Sequence, residues 1–581
     1  MKKIVLLTVL ISSLISNANV AKKDEFKPVL LSTVEMTTFS DLSKKTMVLG
    51  TLFNNPMIST MILTSLQQAA ELQYGRVRTD SPITAYVYQT SPIKKDKDAK
   101  DGFFDCAVCV IYPSAEKPNT FVMSRPGATK GADGVIEIPE TVDKPKSYVV
   151  YSADKKFSAH CENLNIAKKA IADFSLSHKA HNVFSEILKA EIFTPAIDLL
   201  ANLYEMNGND ECGKAALIST NRKAEIARLK SFKSISLSFD LGEKGIEIKA
   251  VAIRKTAEKN KYKNLALTPD LLNVPEAPSL FFAVNHKYYY ENEEVSPEMI
   301  GEVLSLIAKN VESKKVQTFI NNVIPALKEY TAKYQKANKA DKNAEIVWIG
   351  TDKDKHIYLA SYENSTSLYD ESLTLLDKCI AAQNNVWGAN SFFVKGKNPG
   401  DFTFDVGKLI DIEGVEPGKS VPPEVTIAKG KIKSIVGDTK IYIGVKKVGN
   451  GVLEYVSTPG YMPEIGKGNG EKDFLEVIPE AATKRPVAVV YMGFYSFVRD
   501  ILLPNIAKTA SVAERQQYDM MIMTMPKALP KSAIASAVWA EDSKEICLLR
   551  VTANELKNLG AVFNVFTAAA MSAGEEQDKK Q

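Results

Sequence analysis

The sequence predicts an α+β fold: repeated units of antiparallel sheet, built from hairpins with packed helices, in a multi-domain chain of 581 residues. Three observations carry that prediction. Strict period-two patterns flank tight turns, proline-led β-branched runs recur along the chain, and long amphipathic helical patterns follow several of those runs.

The clearest hairpin alternates Ile235, Leu237 and Phe239 with Ser236, Ser238 and Asp240. It turns at Gly242-Glu243-Lys244-Gly245 and returns through Ile246, Ile248 and Ala250, which predicts an antiparallel pair with one wet face. Lys440 to Val456 reads as its relative, turning at Asn450-Gly451, the pair preferred in a type I′ turn. The proline-led runs are Pro82 to Gln89, Pro278 to Val284 and Pro486 to Tyr491. Ser296-Pro297-Glu298 starts a helical pattern that reaches Tyr334 as two helices. Asp500 to Met525 repeats the pattern, with Pro504 confined to a start or a kink. A strand–turn–strand–helix motif recurs at Tyr148 to Phe157, Ile346 to Leu359 and Ala537 to Leu549, and Thr552 and Glu555 fit a capping box after the last. Duplicated units and unrelated domains built from common parts both satisfy this pattern.

The expected organisation is a signal peptide over 1–18, α+β units over 19–256 and 277–456, a truncated third over 485–573, and a disordered tail over 574–581. Linkers are expected near 254–276 and 457–484, the latter because Gly466 to Lys472 is flexible by composition. The signal peptide rests on Lys2 and Lys3, the apolar run Ile4 to Ile15, and small residues at Ser16 and Ala18, with cleavage expected after Ala18. A periplasmic or extracellular location follows. No later apolar segment approaches membrane-spanning length, so the mature chain is expected to lack a transmembrane segment. Without Lys2 and Lys3 the chain carries 71 basic against 69 acidic residues. Nucleic-acid partners are therefore not expected. The mixed run Lys94 to Asp101 reads as a solvated loop.

No catalytic, cofactor or metal motif stands. Gly414-Val415-Glu416-Pro417-Gly418-Lys419-Ser420 is one residue short of a phosphate loop, and Pro422-Pro423 argues against the helix such a loop must open. Among the histidines His160, His178, His181, His286 and His356, only His178 and His181 share a spacing that could join Cys161 or Cys212 around zinc. Met520, Met521, Met523 and Met525 would suit Cu(I), but only Met521 and Met525 share a helix face, and core packing is the reading preferred. Tyr288-Tyr289-Tyr290 reads as a strand end with one ring inward and two outward, open to a glycan or peptide.

Cys106-Ala-Val-Cys109 has redox spacing, yet it reads as a buried strand whose ends stand roughly 10 Å apart, too far for one disulfide. The pairing of Cys106, Cys109, Cys161, Cys212, Cys379 and Cys547 stays open. The function expected is that of an exported bacterial, non-catalytic binding protein whose partner is a protein, glycan or lipid of the cell envelope. Two alternatives are an envelope-polymer or peptide hydrolase using paired carboxylates, and a carrier whose helices cover an apolar cavity on the sheet. The hydrolase requires two carboxylates converging in a cleft, one with a raised pKa.

Overall fold

The computed structural model describes residues 26–69, 78–95, 102–177, 186–206, 226–288, 297–337, 343–414 and 421–562, apart from short gaps inside some of these ranges. The leader 1–18, His178, His181, Cys212, Tyr289, Tyr290, loop residues 415–420 and the tail 574–581 lie outside the described residues. The chain divides into two compact units between residues 257 and 258. The segments 277–456 and 485–573 both belong to the second.

The first unit opens with β1 (Val29–Met36), α1 (Phe39–Leu52), α2 (Pro56–Ala69) and β2 (Ile83–Gln89). A small ribbon of β3 (Lys94–Lys95) and β4 (Gly102–Phe103) precedes β5 (Cys106–Pro113), β6 (Thr129–Lys130) and β7 (Ile136–Ile138). Then come β8 (Ser147–Tyr151), β9 (Phe157–Cys161), α3 (Leu164–Ser177), β10 (Leu188–Phe193), α4 (Thr194–Met206), β11 (Phe232–Gly242) and β12 (Gly245–Arg254). Its sheet is antiparallel throughout and runs β6-β7-β8-β9-β5-β2-β1-β10-β11-β12.

The second unit begins with β13 (Leu280–Asn285), α5 (Pro297–Asn310), α6 (Lys314–Ala337), β14 (Ala344–Thr351), β15 (Ile357–Glu363) and α7 (Tyr369–Trp387). It continues through β16 (Phe393–Lys395), β17 (Asp401–Asp405), α8 (Val406–Gly414), α9 (Pro423–Val436), β18 (Lys440–Val448), β19 (Gly451–Ser457) and α10 (Gly470–Val477). It ends with β20 (Ala488–Met492), α11 (Leu503–Thr509), α12 (Val512–Thr524), β21 (Ile534–Ala540), β22 (Lys544–Thr552) and α13 (553–562). This antiparallel sheet runs β16-β17-β18-β19-β15-β14-β13-β20-β21-β22.

The two orders trace the same path. Taken in chain order, β1, β2 and β5 to β12 map one by one onto β13 to β22. Helices occupy matching crossings: α1–α2 and α5–α6 join the first two strands, α3 and α10 follow β9 and β19, and α4 and α11–α12 precede β11 and β21. The second unit adds α7 before β16 and α8–α9 before β18. The motifs at 148–157, 346–359 and 537–549 are real hairpins followed by helices, but as β8–β9, β14–β15 and β21–β22 they stand at three different places in this common path. Their likeness is local: the first two turns hold Lys155 at φ +60° and Lys355 at φ +61°, each closing back on residue i−3.

Helices pack on both faces of each sheet, with part of one face left open in each. In the first unit α3 packs Ile166, Ala170 and Phe174 on Tyr88, Cys109, Ile111 and Phe157. On the opposite face α4 packs Ile197 against Leu31, Val87, Cys106 and Ile192. Cys106 and Cys109 thus lie on one strand but point to opposite faces, which rules out a CxxC bridge. In the second unit the core joins Phe281, Trp348, Tyr358, Leu453, Val489 and Ala535.

Two expected linkers prove to be core. Leu267, Leu271, Leu272 and Val274 are buried within 254–276, and Phe474, Val477, Ile478 and Ala481 within 457–484. Glycine-rich composition signalled a flexible stretch, but Phe474 and Val477 turn one face of α10 into the core, and Ile478 and Ala481 just past its end join them. Pro422-Pro423 do not bar a helix but open α9, with Pro423 in its first turn, where a missing N–H leaves nothing unsatisfied. The turn between β18 and β19 also falls one residue early. Val448 pairs Gly451, and Gly449, at φ +58°, supplies the left-handed residue in place of Asn450.

Pro504 does not break the helical pattern over 500–525: turns run on from Phe494 through a π-helical segment, Phe497–Leu502, into α11, the break falls at the extended Ala510, and α12 restarts at a Ser511–Glu514 capping box. Thr552 does cap Glu555 N–H at 3.2 Å, but the Glu555 carboxylate turns inward to accept from Tyr495 N–H at 2.8 Å and from Ser532.

Phe474 is fully buried. Phe474→Ala is expected to cost about 3–5 kcal/mol in urea unfolding, whereas Lys472→Ala changes stability by less than about 0.5 kcal/mol. Equal, small effects would restore the linker reading.

Candidate functional site

On β14, Ala344, Ile346, Trp348 and Gly350 face the core, and Gly350 lacks a Cβ because one would stand 2.3 Å from the Tyr358 hydroxyl across the rung. The alternate residues face α6 and α7. On that face Glu345 stands directly opposite Glu363, Val347 opposite Ser361, and Ser361 opposite Glu454 of β19. Three carboxyl groups therefore occupy neighbouring rungs of one covered sheet face. Opposed side chains on such rungs have Cβ atoms about 4.5–5.5 Å apart.

The cover is held firmly. Gln383 of α7, fully buried, accepts Phe393 N–H at 2.6 Å and Phe392 N–H at 3.1 Å and donates to Phe393 C=O at 3.1 Å. Trp387 packs on Phe392 and Phe402 beside Phe319 of α6. Lys333 and Glu371 at 2.7 Å, with Lys378 and Glu329 at 2.5 Å, tie the outer edges of α6 and α7 together. Exposed pairs such as the second contribute little individually. The apolar cluster and the Gln383 clamp carry the placement.

Between this cover and the sheet lies an open cavity of about 380 Å³, with Leu359 and Val456 exposed at its mouth. Leu359, Leu375, Leu376, Ile443 and Val456 form apolar wall, while Glu345, Glu454, Ser361, Ser372 and Tyr330 supply polar groups. Tyr334 donates to Glu345 Oε2 at 3.0 Å, and Ser361 also serves Glu345. Ser372 donates to Glu454, and the Tyr330 hydroxyl lies 3.1 Å from Ser372 Oγ. His286 stands behind Tyr334, with Nε2 3.4 Å from its hydroxyl, and burial lowers its pKa to about 4, so the ring is neutral.

Desolvation raises the pKa of all three carboxyls. Glu363 reaches about 8, with the neighbouring Glu345 and Glu454 adding to the burial effect. Glu363 is buried and its Oε1 has no hydrogen-bond partner among the described residues. Burying such an oxygen unpaired is costly, so the sheet stores an unmet demand for a donor at this rung.

Other sequence candidates do not assemble. Cys161 lies in the first unit's core, while His178, His181 and Cys212 fall outside the described residues. Met520 and Met523 are exposed and Met525 is buried against Tyr495 and Leu503, so these thioethers do not converge. Tyr288 packs inward beside Tyr262, as expected for one ring of the three.

Asp352, Asp354 and His356 bring ligand atoms within 4.8 Å of one another. Asp352 is nevertheless committed to the turn. Its Oδ1 accepts Asp354 and His356 N–H at 2.9 Å each, and its Oδ2 meets Thr458 Oγ1 at 3.0 Å and His356 Nδ1 at 3.1 Å. A second concavity, on the first unit, is lined by Glu35, Asp173, Glu186, Lys189, Glu191 and Lys249, and Lys189 pairs Glu186 at 3.2 Å. It is the wet face expected of the 235–250 hairpin. No described helix is long and apolar enough to cross a membrane.

The sequence reading saw the strands around Glu345 and Glu363 but left 69 acidic residues undifferentiated. The signal was a lone Glu in each of three strands whose other non-core positions are mostly apolar.

A carboxyl with a raised folded pKa binds more protons folded than unfolded, so stability falls as pH rises through that window. For Glu363 the window runs from its ordinary 4.5 to about 8. Glu363→Gln is expected to flatten the decline and to stabilise the protein at pH 9 by about 2 kcal/mol, taking half of that shift at roughly 1.4 kcal/mol per unit. Thermal unfolding across pH 5–9 is the measurement, and parallel curves for variant and wild type would refute it.

No protein-family model, curated protein or solved structure matches this chain.

Proposed function

We propose that this chain is an exported binding protein, acting in the periplasm or outside the cell, whose second unit holds an organic cation with an apolar body in the cavity beneath α6 and α7. The observation that supports it is the carboxyl cluster: Glu345, Glu363 and Glu454 share one face, and all three are displaced toward the protonated form. An ammonium or guanidinium group entering there meets Glu345 and Glu454, which line the cavity, and relieves the repulsion they share with Glu363 on the adjoining rung. The aliphatic wall then takes the ligand's apolar portion, and the volume lies within the range of small-molecule pockets.

Two neighbouring readings fit less well. A single metal ion requires its ligand atoms close together, and among the described residues only Asp352, Asp354 and His356 meet that spacing. A carboxylate hydrolase needs two pKa values pushed apart, one acid protonated and one ionised. Here burial moves all three upward together.

Titration calorimetry with hexylamine and with hexanol as probes tests the proposal. Hexylamine is expected to bind and hexanol not. Because the cation displaces carboxyl protons, affinity should rise about tenfold or more from pH 6 to pH 8. Glu454→Gln, at a carboxyl that lines the cavity, should weaken binding and flatten that rise. Equal binding of both probes, or none of either at millimolar concentration, would overturn the proposal.

A further inference from the structure

The pairing of β5 with β9 sets Val110 opposite His160 and Ile111 opposite Ala159, so the next rung sets Cys109 opposite Cys161. The hydrogen-bonding phase of that ladder is fixed at its far end, where Ser114 N–H donates to Lys156 C=O at 2.8 Å. Antiparallel rungs alternate between hydrogen-bonded and non-hydrogen-bonded pairs. Counting along the ladder from Ser114–Lys156 makes Cys109–Cys161 a non-hydrogen-bonded rung. The other edge of β9 agrees, since Ser152 N–H donates to Phe157 C=O at 2.9 Å and thereby turns the Cys161 amide toward β8. Non-hydrogen-bonded rungs bring Cα atoms to about 4.5 Å, inside the window a disulfide spans.

Both side chains enter the core beneath α3, where Cys109 is fully buried and Cys161 nearly so. The Cys109 thiol donates a hydrogen bond to the Cys161 sulfur, which also receives Asn163 N–H at 3.5 Å. Cys106 points to the opposite face and cannot compete for either.

We propose that Cys109 and Cys161 close a cross-strand disulfide when the chain folds in the presence of an oxidising disulfide, either a small one such as glutathione disulfide or a protein dithiol oxidant. The Cys161 thiolate, favoured by the two donors it accepts, attacks the oxidant's S–S bond and releases one thiolate. Cys109 then loses its proton and attacks the Cys161 sulfur of the mixed disulfide, releasing the second thiolate. The two protein thiols are oxidised, the oxidant is reduced to two thiols, and the two protons pass to them. Because α3 covers the pair, exchange takes place while the sheet forms, and the closed bond is then shielded from reductant in the native protein.

The test folds the full chain in a glutathione redox buffer, blocks remaining thiols, digests without reduction and fragments the linked peptides by mass spectrometry. The expected product joins Cys109 to Cys161 and leaves Cys106 blocked. It should persist in Cys106→Ala and vanish in Cys109→Ser. Closing a loop of this length should raise the midpoint of thermal unfolding by about 10 °C over the reduced protein. Cys109→Ser should show no such difference between oxidising and reducing conditions. Blocked Cys109 and Cys161 in chain whose circular dichroism is native, or linkage through Cys106 or Cys212, would overturn the proposal.

Discussion

An antiparallel strand covered on both faces has no wet side on which to place a charge. β14, β15 and β19 come close to this, although Leu359 and Val456 stay exposed on the helix side, yet they carry Glu345, Glu363 and Glu454 toward the helices. The low polarity between sheet and cover is what raises their pKa values, and the rung geometry is what makes them face one another. The Tyr334, Ser361 and Ser372 donors answer part of the demand, and Glu363 is left with an oxygen unanswered. A core rung of this kind destabilises the fold in isolation. The proposed amine ligand accounts for why it is there.

The common strand path of the two units shows how far topology and site are separable. The paths match strand for strand, and so do several helix crossings. What differs is the cover. The inserted α7 of the second unit, anchored by Trp387 and by Gln383 on the backbone of Phe392 and Phe393, covers part of a face of β15 and β19. The corresponding strands of the first unit, β5 and β9, carry Cys109 and Cys161 in a dry core under α3. One sheet path thus supports a polar cavity in one place and a thiol rung in the other, depending on which residue occupies a covered rung.

Hairpins and helix starts were legible in the sequence because their causes are local. Alternation over 235–250 and proline at the first turn of α5 need only a few neighbouring residues to specify them. Composition misled where burial mattered more than flexibility: Gly466 to Lys472 looks loose, but Phe474 four residues beyond Gly470 docks the segment into the core. Local likeness misled as well. The hairpins at 148–157 and 346–359 share a lysine in a left-handed turn, a solution any tight reversal can reach, and so they resemble each other without being equivalent in the fold.

By itself the sequence determined the α+β class, the hairpins and the starts of α5 and α13, since periodicity and capping act within a few residues. Only the tertiary structure decided which strands lie side by side. Glu345 and Glu454 are far apart in the chain, as are Cys109 and Cys161, and each set meets solely because antiparallel pairing fixes rung against rung. No spacing rule along the chain contains that information. It resides in the register, which the packing of both sheet faces sets cooperatively.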